Sequence, residues 1–400
     1  MADGKEKKAA RRIGRPQPVL FGLACLLMWA VYKIKYHLRF TGKDAVRNMK
    51  GPALVLCQHL SNQDFILAAL TLFPHRPTFV ASSHFLQKKI MRWAFRVMHV
   101  ITKKMFSGDA VAILKMLRAR NENNIIVMFP EGRLPANGIS VPVTAGTAEL
   151  AKKLGIDVYL LRPRGAYLTF PKWSRAKRRG RIEVDTERLL TAEEVKNLSV
   201  AELEARLQRS FRYNDEQVMS AFAYRSDKMA QGAEGILWRC PSCGQIGRIH
   251  TEGNRIMCDC GMVCTLDRYY RLSGCRFTTI TDWYRWQRRE DFACDDPRLD
   301  AKARIGTLAK DGTLIPDAGT ATIHLDREWF TLEGEILGEH VSIRQPCKQI
   351  GGFPITVHQH FDLYDHNGRL LYIYPQPDEN SSMRWVAFLD YVHEQEDQAK

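Results

Sequence analysis

The sequence predicts an α/β domain followed by a small cysteine-bearing ribbon and a β-rich carboxyl-terminal region. Three observations carry that expectation. Two unbroken apolar runs, Ala53–Cys57 and Ile125–Met128, each give way to a polar turn, as strands buried on both faces of a parallel sheet do. Two close cysteine pairs, Cys240 with Cys243 and Cys258 with Cys260, flank the hairpin-like stretch His250-Thr251-Glu252-Gly253-Asn254-Arg255. Beyond Leu272 the chain breaks into short alternating segments such as Ala321-Thr322-Ile323-His324-Leu325 and Leu370-Leu371-Tyr372-Ile373-Tyr374, the period of half-buried strands.

The 400 residues carry a net charge of +15, which favours an anionic partner: nucleic acid, an acidic membrane surface or a phosphorylated substrate. Lys5, Lys7, Lys8, Arg11, Arg12 and Arg15 precede an apolar run over residues 19–32. As a helix at about 1.5 Å per residue that run reaches roughly 21 Å, short of a hydrocarbon core of roughly 30 Å. Residues 1–38 are therefore read as a basic segment with a membrane-associating helix lying in the interface. A span with snorkelling lysines and a buried core helix are the alternatives. No small-x-small site follows that would mark a signal peptide. Cys25 and Cys57 stand singly in apolar surroundings, and the clustering of five others between Cys240 and Cys264 suits metal in a reducing compartment better than disulfides.

The chemistry gathers after the two apolar runs. His59 follows the first, at the carboxyl end of a strand, where open α/β sheets place their sites. Asp64 opens a helical pattern, Asp64-Phe65-Ile66-Leu67-Ala68-Ala69-Leu70. A helix through both residues would set them roughly 140° apart, so the chain must bend between them. Ser61 or Asn62 is expected to cap the helix, leaving Asp64 in a first turn whose dipole favours the ionised carboxylate. Such a carboxylate fixes the imidazole tautomer and raises its basicity, making a general base. After the second run, Phe129-Pro130-Glu131-Gly132-Arg133 forms a turn that aims Glu131 and Arg133 into the same cleft. A guanidinium beside a glycine suits a phosphate.

Together the two motifs resemble the phospholipid/glycerol acyltransferase family, over roughly residues 39 to 212. The His59…Asp64 spacing matches its first block and Phe129-Pro130-Glu131-Gly132 its third. Thr144-Ala145-Gly146-Thr147-Ala148-Glu149-Leu150-Ala151 and the following Val158-Tyr159-Leu160-Leu161 are similar to its later helix and strand. The resemblance implies an O-acyltransferase domain of α/β type that needs no catalytic cofactor. An acyl group would pass from acyl-ACP or acyl-CoA to a hydroxyl of 1-acylglycerol 3-phosphate, with His59 and Asp64 catalytic. Glu131, Gly132 and Arg133 would bind the acceptor, with Lys103 or Lys104 standing where the family's second block has an arginine. Two departures bear on the acceptor: Arg133 directly follows Gly132 without the usual threonine, and Ser82 and Ser83 stand where lysophosphatidate-using members often carry lysine. Glycerol 3-phosphate or another lysophospholipid is therefore the rival acceptor. A non-catalytic adaptor binding anionic lipid or nucleic acid is the rival of another class.

Among the remaining elements, residues 85–100 read as a basic amphipathic helix and 110–120 as a scaffold helix. The basic run Lys172, Arg175, Lys177, Arg178, Arg179 and Arg181 could steer an acidic acyl carrier protein or rest on lipid headgroups. It lacks the interleaved aromatics of a nucleic-acid reader, and no nucleic-acid partner is expected. Ser199-Val200-Ala201-Glu202 opens a helix to Phe211 with a capping box. Residues 213–235 read as a linker. In 236–272 the four thiols Cys240, Cys243, Cys258 and Cys260 resemble a zinc ribbon with a closed, structural site, although only Asp259 separates the second pair; Cys264 is an alternative to Cys258, and reduced buried thiols without metal are the other reading. Residues 273–400 form the β-rich domain, with Asp365-His366-Asn367-Gly368 as a hairpin turn and residues 383–394 as a closing helix. That layout is similar to pleckstrin-homology-like domains, an unrelated small β domain being the alternative. The whole predicts an enzyme on the cytoplasmic face of a membrane, with the phospholipid surface and a carrier-protein or CoA thioester as partners.

Overall fold

The computed structural model describes residues 12–83, 89–103, 109–309, 312–376 and 382–398. The amino-terminal half contains α1 (Pro18–Tyr36), β1 (Arg39–Thr41), α2 (Asp44–Arg47), β2 (Ala53–Cys57), α3 (Asp64–Leu72), β3 (Thr78–Ser82), α4 (Lys89–Val97) and β4 (Ile101–Lys103). It continues through α5 (Ala110–Asn121), β5 (Ile125–Met128), α6 (Thr147–Leu154), β6 (Asp157–Arg164), α7 (Ala166–Thr169), β7 (Glu183–Leu190), α8 (Ala192–Asn197) and α9 (Val200–Phe211). Seven strands form one sheet in the order β1-β7-β6-β2-β5-β3-β4. It is parallel from β6 to β4 and turns antiparallel where β7 meets β6.

The unbroken apolar runs are explained by burial on both faces. Val55, Cys57 and Val127 point into the core shared with α1 and α3, while Leu54, Leu56 and Ile126 point into the one beneath α5, α6 and α9. Alternate residues thus serve opposite layers, and no position is free to be polar. The capping box expected for α9 is present, Ser199 and Glu202 bonding each other's backbone.

Helix α1 is longer than the apolar run indicated. Pro18 before the run and Lys33, Ile34, Lys35 and Tyr36 after it extend the helix to 19 residues, about 28 Å at 1.5 Å each, close to the thickness of a hydrocarbon core. Packing decides more. Phe21, Cys25, Tyr32 and Tyr36 are buried along one stripe from end to end, and the Tyr32 hydroxyl donates to Gln63 at 3.0 Å. Leu23, Leu26, Leu27 and Ile34 remain exposed. Of the helix expected over 85–100, the described part is α4; residues 84–88 lie outside the described residues.

The carboxyl-terminal half holds α10 (Asp215–Val218), ribbon strands β8 (Ile249–Glu252), β9 (Arg255–Cys258), β10 (Val263–Leu266) and β11 (Leu272–Ser273), and α11 (Ile280–Phe292). Then come β12 (Leu299–Leu308), β13 (Leu314–Leu325), β14 (Trp329–Ile336), β15 (Glu339–Pro346), β16 (Ile355–Thr356), β17 (His360–Tyr364), β18 (Leu370–Pro375) and α12 (Ser382–Gln398). The last seven strands make an antiparallel sheet, order β15-β14-β13-β12-β18-β17-β16, closed by α12. The expected turn joins β17 to β18, with Gly368 at φ +74°.

Three expectations require correction. Residues 213–235 are packed rather than a linker. Asp215 is buried and accepts N–H bonds from Gly165 at 2.6 Å and Leu168 at 3.3 Å, and Tyr224, Met229 and Ala233 join one core that runs from α1 to α12. The basic run is not all surface: Arg178 is buried, donating to Ser174 Oγ at 2.7 Å and to the Met229 carbonyl, with its guanidinium against the Trp173 ring. Helix α11 adds an element to the expected β-rich region, with Ile280, Trp283, Tyr284 and Gln287 buried at helical spacing behind the cap Thr279. Its Asp291 takes bonds from Trp238 Nε1, Arg239 Nε and Arg384 Nε at 2.8, 2.5 and 2.7 Å, tying the ribbon to α12.

Candidate active site

The site is assembled by register. Leu56 of β2 pairs with Met128 of β5, and His59 and Glu131 each lie three residues beyond, at the carboxyl edge of neighbouring parallel strands. The His59 N–H donates to Glu131 Oε2. Glu131 is held in a turn closed by Gly132 N–H to the Phe129 carbonyl at 3.2 Å, with Gly132 at φ +72°, a conformation that favours glycine. Thr144 fastens that turn, its N–H and hydroxyl both donating to the Pro130 carbonyl at 2.8 Å. The Phe129 ring lies 4.7 Å from the His59 ring, centroid to centroid.

His59 Nδ1 is 3.1 Å from Asp64 Oδ2, and the Ser61 N–H donates to the same oxygen at 2.8 Å. The bend required by the spacing is therefore present, but the capping differs from expectation. Gln63 occupies the N-cap with no side-chain cap bond, while the Ser61 hydroxyl turns to the Phe170 carbonyl at 3.3 Å. Helix α3 begins at Asp64 itself, whose carboxylate reaches back to the bend. Its electrostatics differ too: burial pushes the Asp64 carboxyl above its ordinary range, opposed by the His59 ring and the Ser61 amide. Burial pushes Glu131 well above its range, with the His59 N–H and Arg133 opposing and Asp64 adding to the rise.

Residues 37–161 match the Acyltransferase family model, a span that contains the whole β2–α3 and β5 arrangement. That segment belongs to the acyltransferase family. Among solved structures, the chain is similar to the 1-acyl-sn-glycerophosphate (LPA) acyltransferase PlsC from Thermotoga maritima. The likeness is at 14% identity and a TM-score of 0.41, over 48% of this chain and 78% of that one.

The acyltransferase domain's His59 faces a cavity of about 2040 Å³. Apolar side chains of α1 and α4, such as Phe21, Met28 and Trp93, line one side, and the carboxyl-terminal half supplies others, including Lys348, Asp362 and Asp390. Of the expected acceptor residues, Arg133 lines this cavity and its Nη2 donates to Asp390 Oδ1 of α12 at 2.5 Å. Glu131 is engaged by the His59 backbone. Lys103 also lines the cavity; burial lowers its pKa and Asp109 partly restores it. Lys104 lies outside the described residues. Two residues escaped sequence reasoning. Asp390 is 257 positions from its partner, and no local pattern signals such a contact. Lys172 lines the same cavity, although in the sequence it is one charge in a basic run.

The four thiols Cys240, Cys243, Cys258 and Cys260 converge, with all sulfurs within 4.8 Å of one another. The Cys240–Cys260 and Cys243–Cys258 separations are 3.8 and 3.9 Å, close to the roughly 3.8 Å edge of a tetrahedron with Zn–S bonds of about 2.3 Å. Cys264 does not enter this set: its sulfur lies 3.1 Å from Cys275.

Proposed function

We propose that the chain transfers a fatty acyl group from acyl-ACP or acyl-CoA to the free hydroxyl of 1-acylglycerol 3-phosphate at the cytoplasmic face of a membrane. The observation that carries this reading is the His59–Asp64 pair, 3.1 Å apart and facing a cavity whose wall also bears Arg133. With Nδ1–H directed at Asp64, Nε2 holds the lone pair. It takes the proton as the acceptor oxygen attacks the thioester carbonyl; the new C–O bond forms, C–S breaks, and the imidazolium returns the proton to the departing thiolate. Glu131 serves as a positioning residue by anchoring the His59 backbone, and Gly132 allows the turn that sets Arg133 beside it.

The unpartnered apolar side chains of α1, with Phe65 and Trp93, support a helix that lies along the lipid surface while its other face stays on the domain. The four thiols supply the donor set for a structural zinc ion. Purified protein in lipid vesicles, offered both thioester donors and a panel of glycerol-based acceptors, tests the reading. Phosphatidic acid should form, and His59→Ala should lose roughly 10²–10⁴-fold in turnover. A His59→Ala enzyme near wild-type turnover would overturn it.

A further inference from the structure

Arg133 does not stand alone at the cavity wall. Asp390 on α12 takes a hydrogen bond from one of its nitrogens, leaving other guanidinium donors available, since the group carries five. Lys172 lines the same cavity as Arg133, within reach of its charge, and is placed by two anchors in the segment that carries it. The Phe170 carbonyl accepts from the Ser61 hydroxyl beside the histidine, and the Trp173 carbonyl is bonded by His358 of the carboxyl-terminal half at 2.9 Å. Lys172 therefore sits at the seam between the histidine loop and the β-rich half. Among the described residues no hydrogen bond ties down its ammonium. Burial and the nearby Arg133 depress its pKa, with Asp362 opposing. Two cations brought together in a partly buried wall repel each other unless an anion lies between them.

We propose that the acceptor's phosphate is held between Arg133 and Lys172, and that Asp390 is a positioning residue that orients Arg133 toward it. Lys172 thus supplies the second cation that the sequence pointed to at Lys103 or Lys104. This rests on the acyl-transfer reading and deepens it: the carboxyl-terminal half becomes part of the acceptor site. The acidic partner on Arg133 leaves the guanidinium fork fixed in orientation, which reduces the entropy lost when a phosphate docks.

The test uses the full chain and compares lysophosphatidate with monoacylglycerol, which lacks the phosphate. Lys172→Met, which keeps an unbranched chain without the charge, should raise KM for lysophosphatidate roughly ten- to a hundredfold, as loss of a charged hydrogen bond does. With monoacylglycerol, which offers no phosphate, Lys172→Met should change KM far less than with lysophosphatidate, and Lys172→Arg should restore the lower KM for lysophosphatidate. Asp390→Ala should raise KM by less, with Asp390→Asn recovering part of it. An unchanged KM in Lys172→Met, or a KM that falls in Asp390→Ala as a displaced competitor would require, overturns the proposal. Direct binding of lysophosphatidate to each variant without a thioester keeps the test independent of turnover. If His59→Ala is fully active, the reading of the reaction fails while this binding comparison still decides the phosphate site.

Discussion

The backbone N–H of His59 donates to the carboxylate of Glu131 across the junction of two parallel strands. This bond ties the loop that carries the imidazole to the turn that carries Arg133. Glu131→Ala leaves that buried N–H without a partner, a loss of about 1–3 kcal/mol. It should lower both Tm and kcat. Glu131→Gln keeps an acceptor oxygen and removes a carboxyl that burial holds far above its ordinary pKa; thermal melts should place it at or above wild type.

Asp64→Asn keeps an oxygen that can accept from His59 Nδ1 but loses the charge that stabilises an imidazolium. Turnover should fall by roughly 10²–10⁴-fold with little change in KM. Steady-state rates with saturating lipid and thioester measure this. A drop confined to KM would place Asp64 in binding instead.

Lys172 is pushed down to about 8, first by burial and then by Arg133, with Asp362 opposing. Its ammonium is therefore charged below about pH 8 and is lost as pH rises through that value. KM for a phosphorylated acceptor should climb above pH 8 in the wild type. In Lys172→Arg the climb should be absent, because a guanidinium keeps its proton there. Acceptor titrations at a series of pH values show whether the two curves separate.

Glu216 is buried and pushed up to about 8 by that burial. A carboxyl raised above its unfolded value contributes stability that is complete below the unfolded pKa and is lost as pH rises to the folded one. Between about pH 4.5 and pH 8 the wild type should lose up to about 1.4 kcal/mol per pH unit relative to Glu216→Gln. Denaturant unfolding of both proteins at the two ends of this window gives the difference.

The ribbon's Ile236, Leu237, Trp238, Ile256 and Leu266 are buried in the core shared with the rest of the chain, so metal at the four thiols should add to a fold already anchored at its base. Purified protein should contain near-stoichiometric zinc, and chelation should lower Tm. Because Asp291 ties Trp238 and Arg239 at the ribbon's base to Arg384 of α12, the loss should also raise acceptor KM through Asp390. A chelated protein with unchanged Tm would separate the thiol cluster from folding.

The sequence by itself determined the two buried strands, the residues that follow them, the capping box of α9 and the four-thiol set. Each is written in a local pattern of period, turn residue or spacing, and strand register then carries His59 to Glu131 without further information. Tertiary structure alone decided that residues 213–235 pack against the core through Asp215, Tyr224, Met229 and Ala233, that Arg178 is interior, that α1 lies along the domain and that Asp390 meets Arg133. These depend on which surfaces bury one another across hundreds of residues. A charge reads the same in a sequence whether solvent or a distant helix lies opposite it.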